Sequence, residues 1–184
     1  MANMLTIARI ALIVPFAAMF FISAPWALTV AFALFAIAAA TDFLDGRIAR
    51  ARGETSALGA ALDPLADKLL VAAALLLLVR NGVIRDLAVI AALAILLREI
   101  LVGGLREHLG KIGASLPVTG PAKLKTSVQL LAIGLLIASA PGGLAGEAIA
   151  PAAMGLFWIA AILTVGTGAD YSRRAVRLLR NPPG

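Results

Sequence analysis

The sequence contains no cysteine and a single histidine, His108. Without cysteine, the chain can form neither a disulfide framework nor a thiolate metal site. One histidine without partner residues is weak support for a metal site, so we assign His108 no role. The N-terminus also lacks the basic segment of a signal peptide and runs almost directly into apolar sequence. We therefore expect the first apolar segment to be retained.

Apolar residues dominate what is present. Of the 184 residues, 61% are hydrophobic, and the mean hydropathy is +0.99. A soluble domain is typically about 45–50% apolar, so the composition predicts an integral membrane protein, with residues 1–184 as a single domain. The net charge of +6 and the pI near 10.8 would suit nucleic acid in a soluble protein. In a chain this apolar they indicate cytoplasmic loops and anionic lipid headgroups, and we expect no nucleic-acid partner.

Six apolar segments are candidates for crossing the hydrocarbon core, which takes about 20 residues. Their bounds are 6–22, 26–48, 58–79, 87–105, 126–140 and 149–165. We expect the last segment to continue as a helix toward Arg180. Because backbone polar groups in lipid must be satisfied internally, the sequence predicts an all-α fold with six transmembrane helices.

The basic residues predict the orientation of these spans. Alternating the six spans places only Arg80 and Arg85 on one side of the membrane. The opposite side receives Arg47, Arg50, Arg52, Arg106, Lys111, Lys123, Lys125, Arg173, Arg174, Arg177 and Arg180. The positive-inside rule therefore predicts that both termini are cytoplasmic.

Four aspartates flank the second connection between apolar segments. The stretch 42–67 reads DFLDGRIARARGETSALGAALDPLAD, with Asp42 and Asp45 ending one segment and Asp63 and Asp67 beginning the next. Carboxylates three or four residues apart share one helix face, so antiparallel packing of the two helices would bring all four together. Like charges that close need compensation. One or two divalent cations, which prefer carboxylate oxygens, would provide it.

Pro64 leaves the geometry of the third helix open at this point. A proline disfavours helical structure at the preceding residue. Either Asp63 caps a helix that has Pro64 in its first turn, or a helix begun near Leu58 is kinked at Pro64. We favour the kink, since neighbouring helices or water can satisfy the freed backbone groups.

The acidic stretch resembles the signature of the CDP-alcohol phosphatidyltransferases. Every fixed position of that signature is filled, by Asp42, Asp45, Gly46, Ala49, Arg50, Gly59, Asp63 and Asp67. The resemblance implies the fold of this family, a CDP-linked lipid donor and two ions of Mg²⁺ or Mn²⁺. The implied metal ligands are Asp42, Asp45, Asp63 and Asp67, with Asp67 also as the general base. The implied CDP-binding residues are Asp42, Asp45, Gly46, Ala49, Arg50 and Gly59.

Segments outside the signature resemble the phosphatidylglycerophosphate synthases within this family. They are 3–9, 62–68, 98–100, 105–107, 115–118 and 123–126. The resemblance implies transfer of the phosphatidyl group from CDP-diacylglycerol to glycerol 3-phosphate, giving phosphatidylglycerophosphate and CMP. It also implies a homodimer. We expect the protein in the inner (cytoplasmic) membrane, and the positive-inside rule predicts that the active site faces the cytoplasm. Because the acceptor is a dianion, its pocket needs cations, and our candidates for this pocket are Arg106, Lys123, Lys125 and Thr126.

Several polar or aromatic side chains lie in or near the apolar segments. Charges inside a span are expensive and are usually paired or functional, so Arg98 either reaches the site or forms an internal ion pair with Glu99. For Arg9 we expect a structural or headgroup role near the interface. Trp26 and Tyr171 fit interfacial anchoring.

Other functions are compatible with parts of this pattern. The same chemistry with another acceptor would use phosphatidylglycerol, as in a cardiolipin synthase, or inositol phosphate or serine. A divalent-cation transporter would also bind ions through acids, but here the acids lie near the ends of their spans. A purely structural membrane protein leaves the aspartate spacing unexplained. Carboxylates alone do not distinguish Mg²⁺ from Mn²⁺.

Overall fold

A computed structural model describes the backbone of residues 2–52, 57–114, 116–117 and 119–180. It describes the side chains of the same residues apart from 2–5, 42–52, 57–61 and 63. Within these ranges the regular structure is helical, with six α-helices and one short 3₁₀ turn, Glu147–Ile149. The α-helices are α1 (Ala2–Met19), α2 (Ala27–Arg52), α3 (Ala57–Arg80), α4 (Ala88–Lys111), α5 (Gly120–Ser139) and α6 (Ala150–Arg180).

Each of the six apolar segments corresponds to one helix, so the predicted all-α arrangement is confirmed. The predicted bounds differ most at the polar ends. α4 continues six residues past its predicted end to Lys111, and α5 starts at Gly120 instead of residue 126. Hydropathy detects only the apolar part of a helix, whereas Pro121 suits the first turn of α5. The predicted extension of the last helix to Arg180 is confirmed.

Pro64 lies inside α3 and not at its start. The helix begins at Ala57, seven residues before the proline. The alternative in which Asp63 caps the helix is therefore wrong, and the helix begun near Leu58 is the arrangement observed. Asp63 and Asp67 accordingly belong to the same continuous helix.

One apolar core joins all six helices. Each contributes at least one large side chain that is at most 2% exposed: Phe16, Phe35, Leu75, Ile95, Ile133 and Phe157, in the order α1 to α6. In this core α1 packs against α2 and α3, while α6 packs against α4 and α5. A second, smaller cluster (Val102, Leu109, Ala114, Leu116, Ala122, Tyr171 and Ala175) joins α4, α5 and α6 near the α4–α5 connection.

Two sets of contacts fix the direction of α1 relative to α3. Just after the end of α1, the carbonyl oxygen of Phe20 accepts a hydrogen bond from the guanidinium of Arg80 at 3.3 Å, and this guanidinium lies 4.0 Å from the ring centroid of Phe21. Earlier in both helices, Arg9 contacts Asp67. The two helices therefore run in the same direction, and Asp67 lies in the half of the bundle where α1 and α3 begin.

The outer surface of the bundle is strongly apolar. Three helical segments of the described chain are long and apolar enough to cross a membrane: Ala88–Lys111, Gly120–Ser139 and Glu147–Arg180. Large apolar side chains also face outward on other helices, for example Val14 at 71% and Leu76 at 63% exposure. Exposed apolar surface on this scale is typical of contact with lipid.

Candidate active site

A cavity of about 700 Å³ opens between the helices on the side of Asp67. Residues of α2, α3, α4, α5 and α6 line it. The acidic side chains that line it are Asp67, Glu99 and Glu107, and the basic ones are Lys68, Arg98, Arg106 and Lys125. A concave site with converging charges of both signs is the arrangement expected for binding a charged ligand.

The predicted signature residues lie in two helices next to this cavity. Residues 42–50 occupy the last turns of α2, and Gly59, Asp63 and Asp67 lie in the first half of α3. The side chains of Asp42, Asp45, Ala49, Arg50 and Asp63 lie outside the described part of the structure. Asp67 is thus the one predicted metal ligand whose side-chain geometry is described.

Asp67 is half exposed and lines the cavity. Its Oδ1 accepts a hydrogen bond from Nη1 of Arg9 at 3.3 Å, and the Arg9 side chain is only 1% exposed. A buried guanidinium cannot reach lipid headgroups, so of the two roles predicted for Arg9 the structural one fits. A contact between residues 58 positions apart has no local sequence pattern, and this partner of Asp67 was not predicted.

The chemistry of Asp67 fits a hard divalent cation, because a carboxylate facing an open cavity offers oxygen ligands. Among the side chains that the structure describes, no cluster of three acidic or histidine residues forms a complete metal site. The three other predicted ligands, Asp42, Asp45 and Asp63, lie outside those side chains. Asp42 and Asp45 belong to the last turns of α2, and Asp63 lies about one turn before Asp67 in α3.

A buried ion-pair network lies on the α4–α5 side of the cavity. Lys125 is 1% exposed, and its Nζ contacts Oε1 of Glu99. The same carboxylate oxygen lies 3.5 Å from Nη1 of Arg98. Arg98 therefore satisfies both alternatives raised by the sequence, since it forms the internal ion pair and also lines the cavity. Two cations around one carboxylate leave a net positive charge at this position.

The structure brings three of the four predicted acceptor-site residues to the cavity. Arg106, Lys125 and Thr126 line it, and the hydroxyl of Thr126 donates to the carbonyl oxygen of Ala122 at 3.1 Å. Lys123 is exposed and is absent from the described lining. Residues two apart on a helix differ in direction by about 200°, so Lys123 and Lys125 cannot face the same side of α5.

Glycines make room for two of the cations that line the cavity. A Cβ at Gly168 of α6 would lie 2.7 Å from Cγ of Arg98, and a Cβ at Gly103 of α4 would overlap the end of the Lys68 side chain. Arg98 is also held by Nη2, which donates to Oγ1 of Thr167 at 3.4 Å. The close approach of α4 and α6 at Gly168 thus fixes the course of the Arg98 side chain.

Replacing Gly168 with alanine should destabilise the protein. The new Cβ meets the stem of Arg98, not its flexible end, so α4 or α6 must shift, at a cost of about 1–3 kcal/mol. A loss of 1 kcal/mol lowers Tm by about 2–4 °C in a protein of this size. Thermal unfolding in detergent measures the change.

Gly166→Ala is the matched control, because a Cβ at Gly166 has nothing within 4 Å. Alanine favours a helix over glycine, so we expect this variant to keep or raise Tm. Equal Tm values for the two variants would contradict the packing described for Arg98.

Tyr171 of α6 lines the cavity and forms hydrogen bonds with the α4–α5 connection. Its hydroxyl donates to the carbonyl oxygen of Pro117 and accepts from the backbone N–H of Thr119, both at 3.0 Å. The side chain is 3% exposed, so the predicted interfacial anchoring is wrong for Tyr171. Its ring lies beside Arg98, with the guanidinium carbon 5.7 Å from the ring centroid.

Comparison with known proteins identifies the family. The model of the CDP-alcohol phosphatidyltransferase family matches residues 1–166. The CDP-diacylglycerol–glycerol-3-phosphate 3-phosphatidyltransferase of Rickettsia bellii is 42% identical, over 92% of this chain and 91% of the relative. The enzyme of the same name from Cereibacter sphaeroides is 35% identical, over 97% and 96%. A cardiolipin synthase (CMP-forming) of Oryza sativa is also 35% identical, over 96% of this chain and 57% of the relative. The chain therefore belongs to the CDP-alcohol phosphatidyltransferase family.

Proposed function

We propose that this enzyme transfers the phosphatidyl group of CDP-diacylglycerol to glycerol 3-phosphate, giving phosphatidylglycerophosphate and CMP. The observation that carries the proposal is that one and the same cavity is lined by Asp67 of the family signature and by the cations Arg98, Arg106 and Lys125. Relatives that match nearly the whole chain bear the name of this activity. Membership of a transferase family leaves no support for a cation transporter or a purely structural protein.

The donor would bind at the end of α2 and the start of α3. The signature assigns CDP binding to Asp42, Asp45, Gly46, Ala49, Arg50 and Gly59, and the metal site to Asp42, Asp45, Asp63 and Asp67. A glycine lets the backbone approach a nucleotide closely, and an arginine offers a fork of donors suited to phosphate. Mg²⁺ or Mn²⁺ bound by these carboxylates would offset the negative charge of the pyrophosphate during transfer.

The acceptor phosphate would bind on the α4–α5 side of the cavity. Lys125 is buried there beside Glu99, so its ammonium is held at a fixed position and is weakly screened by water. Arg106 and the hydroxyl of Thr126 line the same cavity. Lys123 stays a prediction from the sequence, and its exposed position makes it the weakest of the four candidates.

This arrangement would place the acceptor hydroxyl between its anchored phosphate and Asp67. The carboxylate of Asp67 removes the proton of the hydroxyl, and the hydroxyl oxygen attacks the β-phosphorus of CDP-diacylglycerol. A new P–O bond forms to the glycerol, and the P–O bond to CMP breaks. Arg9 keeps the Asp67 carboxylate in place by its contact of 3.3 Å. The proton then passes from Asp67 to solvent through the open side of the cavity.

We further propose that all six helices span the inner membrane of the cell, with both termini and the cavity on the cytoplasmic side. Support comes from the outward apolar side chains and from the basic residues concentrated at the end of the bundle where α1 and α3 begin. α6 has 31 residues and is about 46 Å long, so it would extend beyond the hydrocarbon core. Residues 1–184 would form one domain, and the family resemblance implies a homodimer.

The alternative acceptor with support from the comparisons is phosphatidylglycerol, because one relative is a cardiolipin synthase (CMP-forming). The buried Lys125 and its neighbours favour an acceptor with a phosphate monoester, which carries more charge than the diester of phosphatidylglycerol. A lipid acceptor would also not need a compact pocket lined by cations.

Release of CMP from CDP-diacylglycerol by the purified protein tests the proposal directly. The assay contains Mg²⁺ or Mn²⁺ and compares glycerol 3-phosphate with phosphatidylglycerol, inositol phosphate and serine. We expect release with glycerol 3-phosphate and little with the others. Release that depends on a different alcohol would keep the family chemistry and overturn the proposed acceptor.

A further inference from the structure

A buried hydroxyl of α6 makes two hydrogen bonds to the described part of the α4–α5 connection. Tyr171 donates to the carbonyl oxygen of Pro117 and accepts from the N–H of Thr119, with 3.0 Å between the heavy atoms in each bond. These contacts span 54 and 52 positions of the sequence. A hydroxyl supplies one donor and accepting lone pairs, so it can pair with one carbonyl and one N–H of this connection at the same time.

Thr119 connects Tyr171 to the start of α5 by hydrogen bonds. It is the residue before the first turn of the helix, and its carbonyl oxygen accepts hydrogen bonds from the N–H groups of Ala122 and Lys123 at 3.1 and 3.2 Å. The side chain of Thr119 makes no capping hydrogen bond to this helix. The N–H of Thr119 is therefore held by Tyr171, while its carbonyl oxygen holds the first turn of α5.

The helix start that is held in this way carries part of the proposed acceptor site. Lys125 and Thr126 lie within the first two turns of α5 and line the cavity. The ring of Tyr171 lines the same cavity beside Arg98. Packing of the ring in the second cluster, with Leu116 and Ala122 among its members, holds the hydroxyl at its place.

We propose that Tyr171 is a positioning residue for the acceptor: its hydroxyl sets the α4–α5 connection and the start of α5, and thereby the place of Lys125 and Thr126. This inference rests on the proposed function, since it concerns how the same cavity holds glycerol 3-phosphate. The described contacts of Tyr171 lie on α4, on α5 and on their connection, whereas the donor is proposed to bind at the end of α2 and the start of α3. Its removal should therefore affect one substrate and not the other.

The test is Tyr171→Phe, which keeps the ring in its cluster and removes both hydrogen bonds. With CMP release as the assay, we expect the KM for glycerol 3-phosphate to rise roughly tenfold, because without the two hydrogen bonds the start of α5 would occupy its acceptor-binding position only about a tenth of the time. The kcat and the KM for CDP-diacylglycerol should stay within about twofold of the wild-type values. A loss of acceptor binding alone raises KM without lowering kcat, whereas general damage to the fold lowers the amount of active enzyme.

Thr164→Val is the matched control, because it removes another buried hydroxyl from α6. Thr164 is fully buried, and its Oγ1 has no hydrogen-bond partner among the described residues. We expect both KM values of this variant to match those of the wild type. A KM for glycerol 3-phosphate that rises equally in both variants would overturn the inference, since any altered hydroxyl in α6 would then have the same effect.

Thr119→Pro provides a second test from the other side of the contact, and it decides the question if Tyr171→Phe does not fold. Proline has no N–H, so it removes the hydrogen bond that the hydroxyl of Tyr171 accepts from residue 119. The φ of −84° at Thr119 is close to the range that proline adopts. We expect the same selective rise in the KM for glycerol 3-phosphate. An unchanged KM in a folded variant, or an equal change for both substrates, overturns the inference. A wild-type enzyme that does not use glycerol 3-phosphate would instead overturn the proposed function, and this inference with it.

Discussion

Replacing Asp67 with asparagine should lower CMP release at least about a thousandfold. Asparagine has nearly the same size, but it carries no charge for a divalent cation and cannot take the proton of the acceptor hydroxyl. Loss of a general base alone costs about a hundredfold to ten-thousandfold in rate. The rate of CMP release from CDP-diacylglycerol, at saturating glycerol 3-phosphate and Mg²⁺, measures the effect.

Asp170→Asn is the matched control for this change. Asp170 lies on α6, is also half exposed, and pairs with Arg174 at 2.9 Å. We expect wild-type activity from it, because an exposed ion pair of this kind contributes at most about 1 kcal/mol to stability. Both variants should unfold within a few degrees of the wild type. An Asp67→Asn enzyme that keeps a tenth of the wild-type rate would rule out Asp67 as the general base.

Lys125→Met should raise the KM for glycerol 3-phosphate at least about thirtyfold. Methionine fills a similar volume but removes the buried ammonium that would pair with the acceptor phosphate. Losing one partner of such a buried charge pair costs about 2–5 kcal/mol of binding free energy. Each 1.4 kcal/mol corresponds to a factor of ten. The variant also leaves the Glu99 carboxylate facing the cavity, where it repels an anionic acceptor. Steady-state kinetics with varied glycerol 3-phosphate measure the change.

The same substitution at an exposed lysine separates this effect from a general loss of positive charge. Lys111 is 71% exposed and pairs with Glu107 at 2.9 Å, so Lys111→Met should leave the KM within about twofold. If the two methionine variants had equal KM values, Lys125 would not bind the acceptor.

The sequence was sufficient to predict the helices because each has a long apolar stretch. The predicted bounds failed where polar residues continue a helix, as at the end of α4, where Glu107 and Lys111 form a pair one turn apart. Hydropathy cannot detect such turns. At Pro64 the sequence left two geometries, and the structure decides for a helix that begins at Ala57.

The candidate site was predictable to the extent that its residues lie in one motif. The eight signature positions carry the family resemblance, and the comparisons confirm the family. The contact of Arg9 with Asp67 and the contacts of Tyr171 with Pro117 and Thr119 were not predictable, because each joins residues more than 50 positions apart. The sequence around Tyr171 is compatible with an exposed position at the membrane interface and with a buried one, so the burial of Tyr171 was not predictable either.

Lys123 and Lys125 show a further limit of reasoning from composition. Both are basic, and the sequence predicts that both bind the acceptor. The direction of each on α5 separates them, since Lys125 is buried at the cavity and Lys123 is exposed. Helical geometry alone implies this division, but the sequence does not say which of the two faces inward.

In the proposed reaction, the phosphate of the acceptor binds at Lys125 in the cavity that Asp67 also lines. The most direct test compares glycerol 3-phosphate with glycerol as acceptors for the wild type and for Lys125→Met, using kcat/KM from CMP release. We expect the wild type to prefer glycerol 3-phosphate strongly, and Lys125→Met to lose at least about thirtyfold of that preference while its activity with glycerol changes little. An equal loss with both acceptors would show that Lys125 does not recognise the phosphate, and would contradict the account.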